Sequence, residues 1–230
     1  MTKLKTVFGI LLAGFAMLWG TAASAVQSYG NLAAPGVYFG AGNINGNFTI
    51  DTANGIELGL RAKDRESGAT LDGSTGTYFA NPGLYNGVGP KKKWNYEFSA
   101  NTGNVALQNF TFKLGVDHDP TAGTAYSWVD PSSYWPDNAL AVGSNGFQNS
   151  ENPGFLTTPG GPFGGEPGLY TFDLQAWSRD GQTMFAETTM NVQVVPEPET
   201  YALILVGLAA IGFAAWRRKD GTKPAPATIR

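Results

Sequence analysis

Residues 26–195 are predicted to form an all-β domain, an antiparallel β-sandwich of the jelly-roll or immunoglobulin-like kind. Apolar and polar residues alternate with a period of two in several windows, which is the pattern of strands with one buried face. Asn-Gly and Asp-Gly pairs stand between such windows, as they do in hairpin turns. No window of this region has helical periodicity. A closed barrel would satisfy the same pattern, and we favour the sandwich.

The first hairpin is predicted around the pair Asn54-Gly55. This pair favours a two-residue type I′ turn, because both residues accept a positive φ. Alternating residues precede and follow the turn, so two paired strands are expected. The residues that share a face on these strands are Phe48, Ile50 and Thr52, and then Ile56, Leu58 and Leu60.

Four further strands are predicted by the same alternation. The pair Asp180-Gly181 is expected to turn the chain into the last of them, within residues 184–195. Each strand has a repeating apolar face and a more polar opposite face, as half-buried strands do. The apolar sets are Trp94, Tyr96 and Phe98; Phe110, Phe112, Leu114 and Val116; Tyr170, Phe172, Leu174 and Ala176; and Met190, Val192 and Val194.

Residues 131–167 interrupt this pattern, because they are rich in Pro, Gly, Asn and Ser. A connection of this length is uncommon in a compact domain unless it is functional or mobile. Two interpretations stand: a surface loop held by aromatic anchors, or a loop that contacts a ligand. The aromatic anchors would be Tyr134, Trp135, Phe147 and Phe155.

Composition excludes some classes of stabilisation and of partner. The chain has no cysteine, so the domain forms no disulfide and depends on burial and strand pairing. Residues 26–195 contain 8 Lys and Arg against 15 Asp and Glu, a net charge of −7. An acidic domain of this kind is not expected to bind nucleic acid.

The N-terminus has the three parts of a secretory signal peptide. Lys3 and Lys5 form a basic start, residues 7–19 are apolar, and Ala23-Ser24-Ala25 has the small residues of a cleavage site. The sequence therefore predicts a signal peptide over residues 1–25, removed by signal peptidase after Ala25. The export machinery would carry residues 26–195 across the inner membrane.

The C-terminus combines an extended stretch, an apolar run and a basic stop. Two prolines make the stretch before the run unsuitable for a helix interior. Residues 201–216 contain no charge, which predicts a transmembrane helix, and the basic residues after it are expected to stay cytoplasmic. Residues 220–230 are predicted to be a disordered cytoplasmic tail. The boundary, motif and stop residues are Val195, Pro196, Glu197, Pro198, Arg217, Arg218 and Lys219.

Residues 195–219 resemble the PEP-CTERM sorting signal, which the membrane enzyme exosortase recognises. The resemblance implies exosortase as a partner, a transient stage in the inner membrane over residues 196–219, and delivery to the cell surface or extracellular matrix. It further implies a structural or polysaccharide-associated role in biofilm or exopolysaccharide. The same C-terminal element also carries the label of an ice-binding protein C-terminal domain. Residues 26–195 lack the regular threonine array that an ice plane requires.

Catalytic chemistry has few candidates in this sequence. There is no cysteine, His118 is the single histidine, and no serine lies in a G-x-S-x-G elbow. No catalytic residue is therefore assigned, and we expect the protein not to be an enzyme. Fifteen acidic residues in the domain still allow a carboxylate pair. The alternative function is a secreted carbohydrate-binding module or carbohydrate-active enzyme with the same sorting tag.

Two charged motifs have a structural and a functional interpretation. Asp117 and Asp119, with Asp130 or Asp137, are oxygen ligands of the kind that calcium prefers, but the two also suit a turn before Pro120. The run 91–93 of three lysines beside Trp94 would suit an acidic polysaccharide, or a solvated strand edge that prevents aggregation. The sequence favours the turn and the solvated edge.

Overall fold

The computed structural model describes residues 27–33, 36–38, 43–131, 140–141, 145–155, 158, 160–196 and 198–220. The predicted signal peptide, with Ala23 and Ala25, lies outside the described residues, as do Glu197 and residues 221–230. Within the described ranges eleven strands are present: β1 (Ser28–Gly30), β2 (Phe48–Ala53), β3 (Ile56–Asp64), β4 (Thr77–Ala80), β5 (Trp94–Asn101), β6 (Phe110–Asp117), β7 (Tyr126–Val129), β8 (Leu140–Ala141), β9 (Gly146–Glu151), β10 (Gly168–Ser178) and β11 (Met184–Val194).

The strands form two sheets that pack on each other. The six-stranded sheet has the order β1-β2-β3-β5-β9-β8, and the five-stranded sheet has the order β4-β11-β10-β6-β7. All pairs are antiparallel except β4 and β11, which run parallel. The all-β prediction is confirmed, and this two-sheet packing is compatible with the predicted sandwich. The jelly-roll and immunoglobulin-like alternatives stay predictions.

The space between the sheets is filled by every second residue of the long strands. Tyr96 of β5 and Phe172 of β10 face each other across it with ring centroids 4.8 Å apart. Such aromatic pairs add about 0.5–1.5 kcal/mol to the area that they bury. The predicted apolar faces of β3, β5, β10 and β11 are therefore confirmed as the core. Its fully buried members include Leu58, Leu60, Trp94, Tyr96, Phe98, Leu114, Phe172, Leu174 and Val192.

The first hairpin has the predicted turn. Asn54 and Gly55 have φ of 54° and 78°, and the residues on either side, Ala53 and Ile56, are paired. Two positive φ values in a two-residue loop define the type I′ turn. Leu58 and Leu60 face the core between the sheets. Phe48 and Ile50 face away from that core, so they lie on the opposite face of the same sheet.

The prediction of an irregular loop over residues 131–167 is wrong in part. Residues 140–141 and 146–151 form β8 and β9, and β9 pairs with β5 along six residues. Phe147 is the predicted aromatic anchor that is buried in the core, with a ring centroid 4.9 Å from that of Phe112. Tyr134 and Trp135 lie outside the described residues.

The outer face of the six-stranded sheet is covered by the chain that precedes β2. Leu32 and Val37 pack on Phe48 and Ile50 there. Gln148 of β9 holds the same segment, since its Oε1 accepts the backbone N–H of Tyr38 at 2.6 Å. The segment thereby buries Phe48 and Ile50 on this face of the sheet.

A buried ion pair lies under this covering segment. The guanidinium of Arg61 donates through Nε to the carboxylate of Glu97, and both side chains are fully buried. Its Nη1 also donates to the carbonyls of Ile44 and Gly46, both at 2.8 Å, and the guanidinium lies 4.2 Å from the ring centroid of Phe48. Arg61 therefore links the central strands β3 and β5 to the segment above them.

The C-terminal helix α1 (Pro198–Asp220) contains the predicted transmembrane segment and ends at the first residue of the predicted tail. Side chains 201–217 are all exposed. In the part of the chain that the structure describes, no helix has both the length and the apolar character needed to cross a membrane. The helical part of that prediction is confirmed and the membrane-spanning part is not.

Replacing Arg61 tests the ion pair. We expect Arg61→Met to lower the free energy of unfolding by about 3–5 kcal/mol, because it removes the guanidinium that pairs with the fully buried Glu97 carboxylate. Urea denaturation monitored by tryptophan fluorescence measures the change. The double variant Arg61→Met/Glu97→Gln is the control, since it removes both charges and should recover part of the loss. Equal destabilisation of the two variants would contradict the prediction.

Candidate binding face

The five-stranded sheet has an outer face made by the residues that alternate with its core. On β6 and β10 these are the odd-numbered positions, among them Gly115 and Asp173, which are register partners. Tyr126 and Trp128 of β7 join them, since they pair with Asp117 and Gly115. We call this surface the open face. On the open face, several polar and aromatic side chains of the adjacent strands β11, β10, β6 and β7 point outward.

Aromatic side chains occupy one side of the open face. Trp128 is 45% exposed, and a Cβ built at Gly115 would come within 3.0 Å of its indole and 2.9 Å of Tyr126. Both rings therefore rest directly on the backbone of β6, and only glycine fits beneath them. The two ring centroids are 5.0 Å apart. An exposed indole held in this way is a rigid apolar surface for a ligand to stack on.

The third aromatic residue of the open face is Trp177, at the end of β10. The ammonium of Lys113 lies 4.6 Å from its ring centroid, a distance at which a cation is attracted to the ring face. The indole N–H of Trp177 donates to Oε1 of Gln175 at 2.8 Å. Trp177 is thus fixed by contacts on both its face and its edge.

Gln175 organises the polar centre of the open face. Its Nε2 donates to Oδ2 of Asp173 at 2.8 Å and to Oε1 of Glu187 at 2.9 Å. Because its oxygen already accepts from Trp177, the amide orientation is determined by its neighbours. Two carboxylates on β10 and β11 are therefore held by one amide, and the aromatic residues lie beside them.

The environment of Asp173 favours its neutral form. Burial is the main cause, the negative charge of Glu187 adds to it, and together they raise the pKa of Asp173 to about 7. Its Oδ1 is buried without a hydrogen-bond partner among the described residues. Burial and the charges of Asp173, Asp117 and Glu187 likewise raise the pKa of Tyr126 to about 12.

The two aspartates predicted as calcium ligands each bind backbone N–H groups. Oδ1 of Asp117 accepts from Asp119 at 3.1 Å and from Ala125 at 3.3 Å. Oδ1 of Asp119 accepts from Thr121 at 2.9 Å, which is the side-chain turn expected of a turn former. Over the described ranges, no group of three or more acidic or histidine side chains is arranged to hold a metal ion. Calcium binding stays the untested alternative to the turn that the sequence favours, and Asp137 lies outside those ranges.

His118 packs at the edge of the domain core. Its ring centroid lies 4.8 Å from that of Phe163, and a Cβ at Gly160 would overlap the imidazole. Burial lowers the pKa of His118, although the charge of Asp117 opposes the shift. The structure does not bring His118 to the open face, where Asp173 and Glu187 meet.

The three lysines before Trp94 lie in a separate region. The ammonium of Lys93 is 3.9 Å from the Glu66 carboxylate, and that of Lys91 is 5.9 Å from the ring centroid of Phe155. The Trp94 indole is fully buried and donates to the carbonyl of Gly164 at 2.9 Å. Trp94 is therefore a core residue, as its apolar phase predicts, and it offers no exposed ring beside these lysines. Docking of an acidic polysaccharide on the lysines stays a prediction.

The residues before helix α1 continue directly from the last strand. The N–H of Val195 donates to the carbonyl of Ala80 at 3.0 Å, and Pro196 is half-buried. Arg217 is exposed near the end of α1, and Pro198, Arg218 and Lys219 lie within the helix. The predicted motif is thus attached to the domain without an intervening linker.

A comparison with protein families matches residues 194–219 to the PEP-CTERM protein-sorting motif. The chain carries a PEP-CTERM motif. The matched range includes all the C-terminal site residues that the sequence predicts, from Val195 to Lys219. The PEP-CTERM motif indicates an exported protein that exosortase sorts. Comparisons with curated proteins and with solved structures gave no match.

Sequence reasoning missed the open face, although one feature of the sequence points to it. Trp177 stands in the same phase as Asp173 and Gln175, which are the polar positions of β10. This phase predicts that Trp177 lies on the outer face of the sheet, among polar side chains.

Removing the Asp173 charge should change how stability depends on pH. The raised pKa means that the folded protein holds this proton more tightly than the unfolded chain does. The contribution of Asp173 is therefore fully present at acid pH and is lost as the pH rises to about 7. We expect Asp173→Asn to raise the free energy of unfolding at pH 8 by roughly 2 kcal/mol and to change it little at pH 4.

Thermal denaturation of both proteins between pH 4 and pH 8 measures this difference. Glu166→Gln is the matched control, because Glu166 is exposed and its neutralisation should have no such pH dependence. The prediction would be contradicted if Asp173→Asn changed the stability by the same amount at pH 4 and at pH 8.

Proposed function

We propose that the protein is an exported, exosortase-sorted component of the cell surface or extracellular matrix, and that its β domain binds exopolysaccharide through the open face. Its role in the matrix is structural rather than enzymatic. Signal peptidase removes residues 1–25, and exosortase processes the chain at the inner membrane. The single observation that carries the binding role is the exposed Trp128 held on the backbone of β6.

The C-terminal residues support the sorting part of the proposal. The PEP-CTERM match covers the proline motif, the apolar run and the basic stop. The apolar side chains of α1 between Tyr201 and Trp216 are exposed, which supports association of this helix with the inner membrane during sorting. Pro196 lies before α1, which begins at Pro198, and neither proline can lie in the interior of a helix.

The arrangement of the open face supports binding of a sugar polymer. Sugar rings have apolar faces that stack on exposed aromatic rings, and their hydroxyl groups need fixed hydrogen-bond partners beside the ring. The open face places Trp128 and Tyr126 on β7, on the same face as the half-buried Glu187 and Thr171 of the neighbouring part of the sheet. A strand surface is also long enough to follow an extended polymer.

A carbohydrate-active enzyme is the second candidate, and the carboxylate pair Asp173 and Glu187 favours it. A carboxyl group with a pKa near neutrality suits a general acid. However, Asp173 is 5% exposed, and its Oδ2 already accepts a hydrogen bond from Gln175. A substrate would not reach it without movement of the neighbouring side chains. We therefore propose binding, and release of reducing sugar from a bound polymer would favour the enzyme.

Processing is tested by the intact mass of protein extracted from the surface of the native host. We expect a chain that begins at Val26 and lacks α1, because both terminal motifs are complete. A variant with Pro196, Glu197 and Pro198 replaced by alanine is the control and should retain α1. Recovery of the unaltered protein with residues 201–216 still attached would contradict processing at the motif.

Polysaccharide binding is tested by replacing Trp128. We expect Trp128→Ala to weaken binding to the host exopolysaccharide by about 10-fold or more, because a central aromatic contact contributes about 2 kcal/mol. Affinity electrophoresis of the purified domain in gels that contain the polymer measures it. Tyr38→Ala is the matched control, since Tyr38 is 48% exposed and belongs to the segment over the other sheet. Equal loss in both variants, or none in either, would overturn the role of the open face.

A further inference from the structure

We infer that the open face selects polysaccharides that have no acidic groups and disfavours polyuronates and sulfated polymers. This inference rests on the proposed function, since it names the chemical class of the ligand for the same surface. It follows from the charges on the outward positions of the strands, from the contacts that hold each charge, and from the uncharged groups that β10 and β11 place on the same face.

The charged groups of the open face are mainly acidic. On β6, β10 and β11 the outward charged residues are Lys113, Asp117, Asp173 and Glu187. Within the described ranges, Asp173 and Glu187 form no ion pair with any lysine or arginine. The one cation, Lys113, lies over Trp177 instead. A polymer with a carboxylate on each sugar would meet uncompensated negative charge beside the aromatic rings.

Asp173 has a pKa of about 7, so it is mostly ionised at pH 7.5, and its position then strengthens its effect on a ligand. Asp173 is 5% exposed and its Oδ1 is without a hydrogen-bond partner among the described residues. A charge shielded from water acts over a longer distance than one in solvent, because the medium around it has a lower dielectric constant. Glu187 is half-buried on the neighbouring strand, and Gln175 holds the two together.

The remaining outward groups are uncharged hydrogen-bonding groups. Oγ1 of Thr171 donates to Oδ1 of Asn191 at 3.2 Å, and Nε2 of Gln193 donates to the carbonyl of Gly168 at 3.1 Å. These half-buried hydroxyl and amide groups can each exchange a hydrogen bond with a sugar hydroxyl. They extend the polar part of the open face along β10 and β11, and none of them would compensate an anion.

The cations that would suit an acidic polymer are on another part of the domain. Lys91, Lys92 and Lys93 precede β5 of the other sheet, and Lys93 lies near Glu66. A polymer stacked on Trp128 would therefore gain nothing from these lysines. Stacking and charge together favour a neutral ligand on the open face.

The test compares binding of the purified domain to neutral and acidic polymers by affinity electrophoresis at pH 7.5 and low salt. Galactomannan and hydroxyethylcellulose are the neutral probes, and polygalacturonate and alginate are the acidic ones. We expect the neutral polymers to bind at least about 10-fold more tightly. The double variant Asp173→Asn/Glu187→Gln should reduce this ratio to below about 3-fold, and 0.5 M NaCl should reduce it as well, because salt screens charge.

The matched control is the double variant Glu66→Gln/Glu166→Gln, which removes the same charge from two exposed positions and should leave the ratio unchanged. Tighter or equal binding of the acidic polymers, lost in Trp128→Ala, would overturn the selectivity and leave the proposed binding role intact. A ratio that the Asp173→Asn/Glu187→Gln variant does not change would also overturn it. Binding of none of the four polymers or of the host exopolysaccharide would overturn the proposed function itself.

Discussion

The buried pair of Arg61 and Glu97 determines which surfaces of the domain are free. An ion pair withdrawn from water is stable only when hydrogen bonds satisfy its remaining groups. Arg61 obtains two of these from the carbonyls of Ile44 and Gly46 in the segment before β2. The pair therefore requires that segment to lie on the six-stranded sheet. The open face lies on the other sheet, on the opposite side of the inter-sheet core from this segment.

Strands whose inward positions are large and apolar could be predicted from the sequence. Burial of every second side chain in the core produces an alternation that the sequence shows directly. The strands with buried Leu58, Phe98 and Leu174 are examples. β9 could not be predicted in this way, since Asn149 and Glu151 are polar and yet fully buried. The Asn149 amide donates to the Glu151 carboxylate at 2.7 Å. Polar side chains that are hydrogen-bonded in this way can be buried. The sequence of such a strand then shows no alternation of apolar and polar residues.

The open face could be predicted only in part, because its chemistry depends on strand register. The aromatic residue in the polar phase of β10, Trp177, can be identified from the sequence alone. The meeting of Gln175 with Glu187 cannot, since it requires the pairing of β10 with β11 at that position. The sorting motif behaves differently, because a processing enzyme reads it as a linear sequence and no tertiary contact is needed to define it.

Strand β11 connects the open face to the sorting motif and also keeps them apart. Glu187 lies on the open face, and Val194 ends the strand seven residues later, at a distance of about 23 Å along an extended chain. Between them β11 pairs with β10 on one side and with β4 on the other, and the N–H of Val195 adds one more bond to Ala80. Cleavage after Val195 removes none of these bonds. The domain can therefore lose its sorting motif and keep the strand pairing that forms the open face.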